Sequence, residues 1–248
     1  KGLPGLAIAI VYDQDLIWKK GFGFSDLENN EPVQTNTIFR IASITKLFTS
    51  TAIMQLRDQG KLRLDDPVSD YLEWFKIRDR FPEAPDITIR QLLTHSSGLP
   101  RESAFPYWTD HKFPSRKQMI EKLPTQETVY PAETKWKYSN LGMAVLGEVV
   151  AKVSGMSYED YINQNILEPL KMRSTSVNLS DEHKNRLAVG YGRKKSNGSR
   201  DIISFTDSKG LTPAANMSST VEDMAKFASF QFRYDKSADE QILKGSTL

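Results

Sequence analysis

Phe39-Arg40-Ile41-Ala42-Ser43-Ile44-Thr45-Lys46 opens a helical pattern that runs from Ser43 to Gln59, with Ile44, Leu47, Phe48 and Met54 on its apolar face and Gly60 placed to end it. Ser43 and Lys46 are three residues apart at the first turn of that helix, so they share one face within proton-exchange reach. The pattern S-x-x-K occurs once in the chain. Serine is a poor nucleophile without a base beside it, and lysine becomes a base only where burial or a neighbouring cation lowers its pKa. A helix start supplies a further element, because the amide N–H of the serine has no intrahelical partner and can donate to an oxyanion. The competing reading is a serine capping the helix beside a solvated lysine.

Tyr138-Ser139-Asn140 adds a phenol and an amide that face one cleft if Ser139 points away. A phenol relays a proton and an amide holds a substrate carbonyl. A second Y-x-N, Tyr161-Ile162-Asn163, lies inside a helix opened by Ser157-x-x-Asp160, where positions two apart diverge by about 200°. Tyr138 instead lies between Pro131 and a helix beginning at Asn140, in a loop of the kind that displays functional groups.

Around these motifs the order is sheet, helices, sheet. Leu6 to Val11, the polar Asp13-Gln14-Asp15 and Leu16-Ile17-Trp18 predict a β-hairpin, and Gly21-Phe22-Gly23-Phe24 reads as a turn or bulge. Thr88-x-x-Gln91 announces a helix through His95 that stops near Gly98 and Pro100. Further helices are expected over 115–123, 140–153 with Gly155 beyond, and from Ser157 to Pro169. Strand character returns at 188–191 and 202–205, and Ser219-x-x-Glu222 predicts a capped helix to about Phe232. The division is residues 1–42 as the first part of an α/β sheet domain, 43–187 as a mostly helical region, and 188–248 as a return to the sheet domain.

Composition narrows the classes. The 248 residues are 39% hydrophobic and 26% charged, enough for a substantial core. Thirty-three basic and 31 acidic residues leave a formal charge of +2, which gives no steering toward nucleic acid or anionic membrane. Arg193-Lys194-Lys195, followed by Asn197-Gly198, reads as a solvated loop tip. The absence of cysteine removes disulfides and thiolate catalysis. His95, His111 and His183 lack ligand-like spacing, so neither a metal nor a cofactor is expected. No apolar run approaches the ~18 residues of a membrane span. Lys1-Gly2-Leu3-Pro4 lacks the regions of a signal peptide, so a mature, trimmed or cytoplasmic chain is expected.

With these motifs in order, the chain resembles the serine β-lactamase and penicillin-binding-protein family, in the branch of class C β-lactamases, D-Ala-D-Ala carboxypeptidases and β-lactamase-like esterases. The resemblance extends through 39–46 (FRIASITK), 60–68 (GKLRLDDPV), 87–100 (ITIRQLLTHSSGLP), 137–141 (KYSNL) and 169–175 (PLKMRST). It implies an antiparallel sheet built from both chain ends, flanked by helices, with the helical region forming the other wall of the cleft. It implies that Ser43 is acylated, that Lys46 and Tyr138 share the base and acid roles in an order left open, and that Asn140 contacts the amide side chain of the substrate. The expected substrates are amides, peptides, β-lactams or esters, and the expected location is extracytoplasmic in a bacterium. The family's third motif, Lys-Thr-Gly or His-x-Gly on a late strand, has no counterpart after Tyr138. His183 is followed by Lys184-Asn185, and Lys244-Gly245-Ser246 lacks strand context. Because that strand carries the second oxyanion donor, the chain is expected to lack the last strands of the fold and to be inactive as a fragment.

Two other readings are open to the sequence. A Ser-His-Asp hydrolase with His95 as base lacks the G-x-S-x-G elbow, and the ordinary role for His95 is a structural hydrogen bond. A non-turnover penicillin- or peptide-binding sensor or scaffold would keep the same residues and differ only in deacylation. Phe105-Pro106-Tyr107-Trp108 is either an apolar wall of the acyl pocket or loop packing. The sequons at Asn178, Asn197 and Asn216 do not establish glycosylation.

Overall fold

The structure is a computed structural model that describes residues 2–233 and 241–248. Lys1 and residues 234–240 of the expected C-terminal sheet segment lie outside the described residues. The chain opens with β1 (Gly5–Tyr12) and β2 (Asp15–Asp26), an antiparallel hairpin pairing Leu6 with Phe22 and Ile10 with Trp18. β3 (Glu31–Pro32) extends the sheet beyond β2, in the order β1-β2-β3.

Gly21 to Phe24, expected as a turn or bulge, make no turn, because they lie within β2, whose pairing with β3 shifts register between Phe24 and Asp26 as a bulge does. Gly23 is the reason glycine is used there. Its φ is +70° and a Cβ would strike the backbone of residue 4, so the strand continues past the N-terminal segment only without a side chain.

β4 (Phe39–Arg40) leads into a 3₁₀ turn at Ala42–Ile44 and then α1 (Thr45–Asp58). The expected helix from Ser43 therefore starts with a tighter turn, and Ser43 is not its cap: residue 44 is the N-cap, with no side-chain cap bond. α2 (Ile89–Leu93) carries the expected Thr88/Gln91 capping box but ends before His95, whose φ of +58° breaks the helical run. α3 (Tyr107–Asp110) and α4 (Arg116–Lys122) follow, the latter with a Ser115/Gln118 capping box. α5 (Asn140–Ser154) is capped by Ser139 and closed by Gly155 in the left-handed region. α6 (Tyr158–Ile162) continues as a π-helical stretch to Leu167, and α7 (Asp181–Lys184) is one short turn.

β5 (Gly190–Tyr191) pairs with β6 (Ile202–Ile203), as the return of strand character predicts. α8 (Thr212–Ala215) precedes β7 (Ser218–Ser219), which pairs with β4. In α9 (Val221–Phe230) the cap is Thr220, one residue beyond the expected Ser219, because Thr220 Oγ1 accepts the Asp223 N–H.

α5 is the central helix, buried along nearly its whole length, packing on α1, α2, α6 and α8. α9 lies against the β1–β2 hairpin, where Gly5, Ala7, Ala9 and Val11 alternate with the exposed Leu6, Ile8, Ile10 and Tyr12. Sheet and helical core are thus joined through a helix from the far end of the chain.

Gly147 decides how closely α5 and α8 approach. A Cβ there would overlap the Pro213 ring, 2.7 Å from its Cβ, and the ring cannot rotate away. Gly147→Ala is expected to cost about 1–3 kcal/mol as an overpacking substitution. It would appear as a lower urea midpoint at unchanged denaturant slope.

Candidate active site

The strand-to-helix junction places Ser43. The β4–β7 pairing holds Phe39 and Arg40, Ile41 N–H donates to Met217 O at 3.0 Å, and Met217 N–H donates to Thr45 Oγ1 at 3.1 Å. Between these anchors Ala42 takes φ +43°, a left-handed conformation that is unfavourable for an L-residue. The result is an exposed Ser43 directly before a buried helix. Its N–H lies in the first turn, where no intrahelical acceptor exists.

Lys46 is one helical turn on and only 7% exposed. Its Nζ donates to Ser43 Oγ at 3.2 Å and to Ala214 O at 2.7 Å. Burial pulls its pKa below the ordinary lysine value, with Arg101 adding to the fall, while Tyr138 and Glu102 oppose it. Among the described residues no counter-ion touches the amine directly, so its neutral form is more accessible than that of a surface lysine.

Tyr138 completes the cluster from the opposite wall. Its hydroxyl donates to Ser43 Oγ at 2.8 Å, and the Lys46 amine lies 4.8 Å from its ring centroid. The intervening Ser139 does point away: it is buried, its Oγ donates to Pro100 O at 2.7 Å and accepts the Gly142 N–H at 2.9 Å. Tyr138 is carried by an extended segment before α5, and that segment is bonded to the turn after α2. Lys137 N–H donates to His95 O at 2.7 Å, Ser139 N–H to His95 Nδ1 at 3.2 Å, and Asn140 N–H to Arg101 O at 2.8 Å.

Asn140 is close to the trio but not presented to it. It is 5% exposed, and its Nδ2 donates to both oxygens of Glu102 at 2.9 and 3.0 Å, while its Oδ1 is buried with no partner among the described residues. Glu102 also accepts from Tyr107 and from Arg101 Nε at 2.9 Å. The Arg101 guanidinium lies 5.1 Å from the Tyr138 ring centroid. Sequence reading missed Glu102, Arg101 and the Ala214 carbonyl, since no spacing rule connects positions 38 or 168 residues apart.

Other sequence candidates separate from the site. Tyr161 is a buried residue of α6. Tyr107 is fully buried beneath Glu102, so this part of the Phe105–Trp108 stretch is packing and not an exposed wall. Lys244 precedes a 3₁₀ turn and its N–H donates to Asp58 at the far end of α1. α1 places that turn about 20 Å from Ser43, so Lys244-Gly245-Ser246 is no substitute for the missing motif. Among the described residues no group of acidic, histidine or cysteine side chains is arranged to hold a metal ion, and no helix is long and apolar enough to cross a membrane.

A hairpin sheet backed by a late helix, with a serine at the root of a buried helix facing a second helical wall, defines the β-lactamase/transpeptidase-like class of fold. The chain belongs to the Beta-lactamase family, whose model matches residues 1–247. Beta-lactamase-like protein 2 of Dictyostelium discoideum is 35% identical over 252 residues, covering 100% of this chain and 45% of that protein. The octameric penicillin-binding protein homologue from Pyrococcus abyssi superposes with a TM-score of 0.82 at 31% identity, over 98% of this chain and 55% of that one. The β-lactamase/D-alanine carboxypeptidase from Yersinia pestis, complexed with citrate, gives 0.76 at 27% identity, over 91% and 62%. The chain spans about half the length of the curated relatives it matches.

Proposed function

We propose that the full-length protein is a serine hydrolase that works through an acyl-enzyme on amide, β-lactam or ester substrates. The observation that carries this reading is the convergence of Lys46 Nζ and Tyr138 OH on Ser43 Oγ, at 3.2 and 2.8 Å. In the first half-reaction Ser43 Oγ attacks the substrate carbonyl and its proton passes into the Lys46–Tyr138 pair. The Ser43 N–H donates to the developing oxyanion. Collapse expels the leaving group, which takes a proton from the same pair, and water then hydrolyses the acyl-serine by the reverse proton path. Asn140 is assigned the amide side chain of the substrate, a contact that requires its Nδ2 to leave Glu102. The extracytoplasmic location belongs to the same proposal and rests on the resemblance.

The test is intact-mass spectrometry of the full-length protein exposed separately to a penicillin and to p-nitrophenyl butyrate, with nitrophenol release followed over time. One acyl group per chain with continuing release is the expected result. Stoichiometric labelling without turnover would support the sensor reading, and neither adduct nor turnover with either reagent would remove the hydrolase reading.

A further inference from the structure

His95 touches Tyr138 from three directions. Its carbonyl accepts the Lys137 N–H at 2.7 Å and its Nδ1 accepts the Ser139 N–H at 3.2 Å, so the backbone on either side of Tyr138 is bonded to one residue. Its ring lies 4.6 Å from the Tyr138 ring, tilted by 40°, and meets Trp136 edge-on at 6.1 Å. The residues on both sides of Tyr138 and one face of its ring are thereby held, while the Lys46 amine lies toward that ring from the other wall.

The backbone of His95 lies at positive φ. A φ of +58° is uncommon for any residue but glycine and carries some strain, although histidine, like asparagine and aspartate, adopts it more readily than most side chains. Glycine would remove that strain and keep the carbonyl bond to Lys137, but it would supply neither the Nδ1 acceptor nor the ring. An Nδ1 that accepts an amide proton belongs to a neutral imidazole with its proton on Nε2. Burial, together with the nearby Lys46 charge, pulls the His95 pKa below the ordinary histidine value, which favours that neutral form.

We infer that His95 is a positioning residue for the proposed proton-transfer step, holding the Tyr138 hydroxyl on Ser43 Oγ through its side chain. This rests on the reading of Tyr138 as a proton partner of Ser43. The imidazole does not reach the reacting atoms itself; it fixes the phenol so that the 2.8 Å contact is formed before substrate arrives. Displacement of the phenol by about an ångström would cost roughly 10²-fold in rate.

His95→Gly and His95→Asn separate side-chain positioning from a merely structural role. Glycine relieves the backbone, and asparagine tolerates the same φ while offering Oδ1 to the Ser139 N–H. In full-length protein labelled with fluorotyrosine, the Tyr138 ¹⁹F line, assigned by Tyr138→Phe, is expected to shift and broaden in His95→Gly and to return partly in His95→Asn. With p-nitrophenyl butyrate, kcat is expected to fall about 10–100-fold in His95→Gly with KM nearly unchanged, and to recover in part in His95→Asn. An unmoved fluorine line in His95→Gly overturns the inference, as does a moved line with wild-type kcat. If wild type is neither acylated by nor turns over penicillin or p-nitrophenyl butyrate, the hydrolase reading fails, while the fluorine line still decides whether His95 holds Tyr138. Should the glycine variant fail to fold, the asparagine variant decides: a broadened Tyr138 line with a kcat no higher than that of Tyr138→Phe would contradict the proposed rescue.

Discussion

Ser43→Ala is expected to abolish the acyl adduct with both penicillin and p-nitrophenyl butyrate and to reduce nitrophenol release by about 10⁴–10⁶-fold, the scale of nucleophile loss in a serine hydrolase. The substitution removes one oxygen at an exposed position, and Ser43 makes no capping bond to α1. Folding is therefore expected to be unaffected, with a melting temperature close to that of wild type. Retention of the adduct at its wild-type level in a folded variant would show that some other group is acylated. Loss of both adduct and fold would point instead to a structural role for the hydroxyl.

Lys46→Met is the second large effect, because it removes the buried amine while retaining much of the side-chain volume. Loss of a positioned proton acceptor costs on the order of 10²–10⁴-fold. The pH profile makes the test specific. Only the neutral amine accepts a proton, so the acylation rate of wild type should rise with pH and reach half its plateau at the folded-state pKa of Lys46, below the ordinary value of 10.5. In Lys46→Met that limb should vanish. Stability follows the same linkage. A lysine whose folded pKa lies beneath its unfolded value binds fewer protons when folded, so wild type gains stability as pH rises between the two values. Urea midpoints of Lys46→Met should lack that gain. A wild-type acylation profile preserved in Lys46→Met would exclude the amine as the base.

The elements with strong local signals were legible in the sequence. The Thr88/Gln91 capping box, the helix from Asn140 with Gly155 behind it, and the hairpin flanking Asp13-Gln14 all depend on residues within a few positions of one another. The errors have local causes as well. Gly21 and Gly23 look like turn residues, yet they continue a strand because the chain passes too close for a side chain. Thr220 took the cap from Ser219, a choice between neighbouring hydroxyls that only the backbone angles decide.

The site divides in the same way. Ser43 and Lys46 were visible as a pair because a helix brings positions three apart onto one face. Tyr138 was visible as a chemical type in a displayed loop, but its distance of 2.8 Å from Ser43 Oγ depends on a separation of 95 residues. His95 and the 137–140 segment appeared as two unconnected stretches, and hydrogen bonds make them one unit. Asn140 shows the limit most clearly. Its motif places it beside the cleft, while the Glu102 carboxylate decides that its amide nitrogen is already engaged.

By itself, then, the sequence indicated the class of fold through its resemblance to a known family, and the order of elements, the serine–lysine pair and the candidate partners through helix periodicity, capping and motif spacing, which are short-range properties of the chain. Only the tertiary structure decided which carbonyl receives the lysine, what grips the tyrosine and what occupies the asparagine. Those contacts join residues 38 to 168 positions apart, and their geometry comes from the packing of α1, α5 and α8.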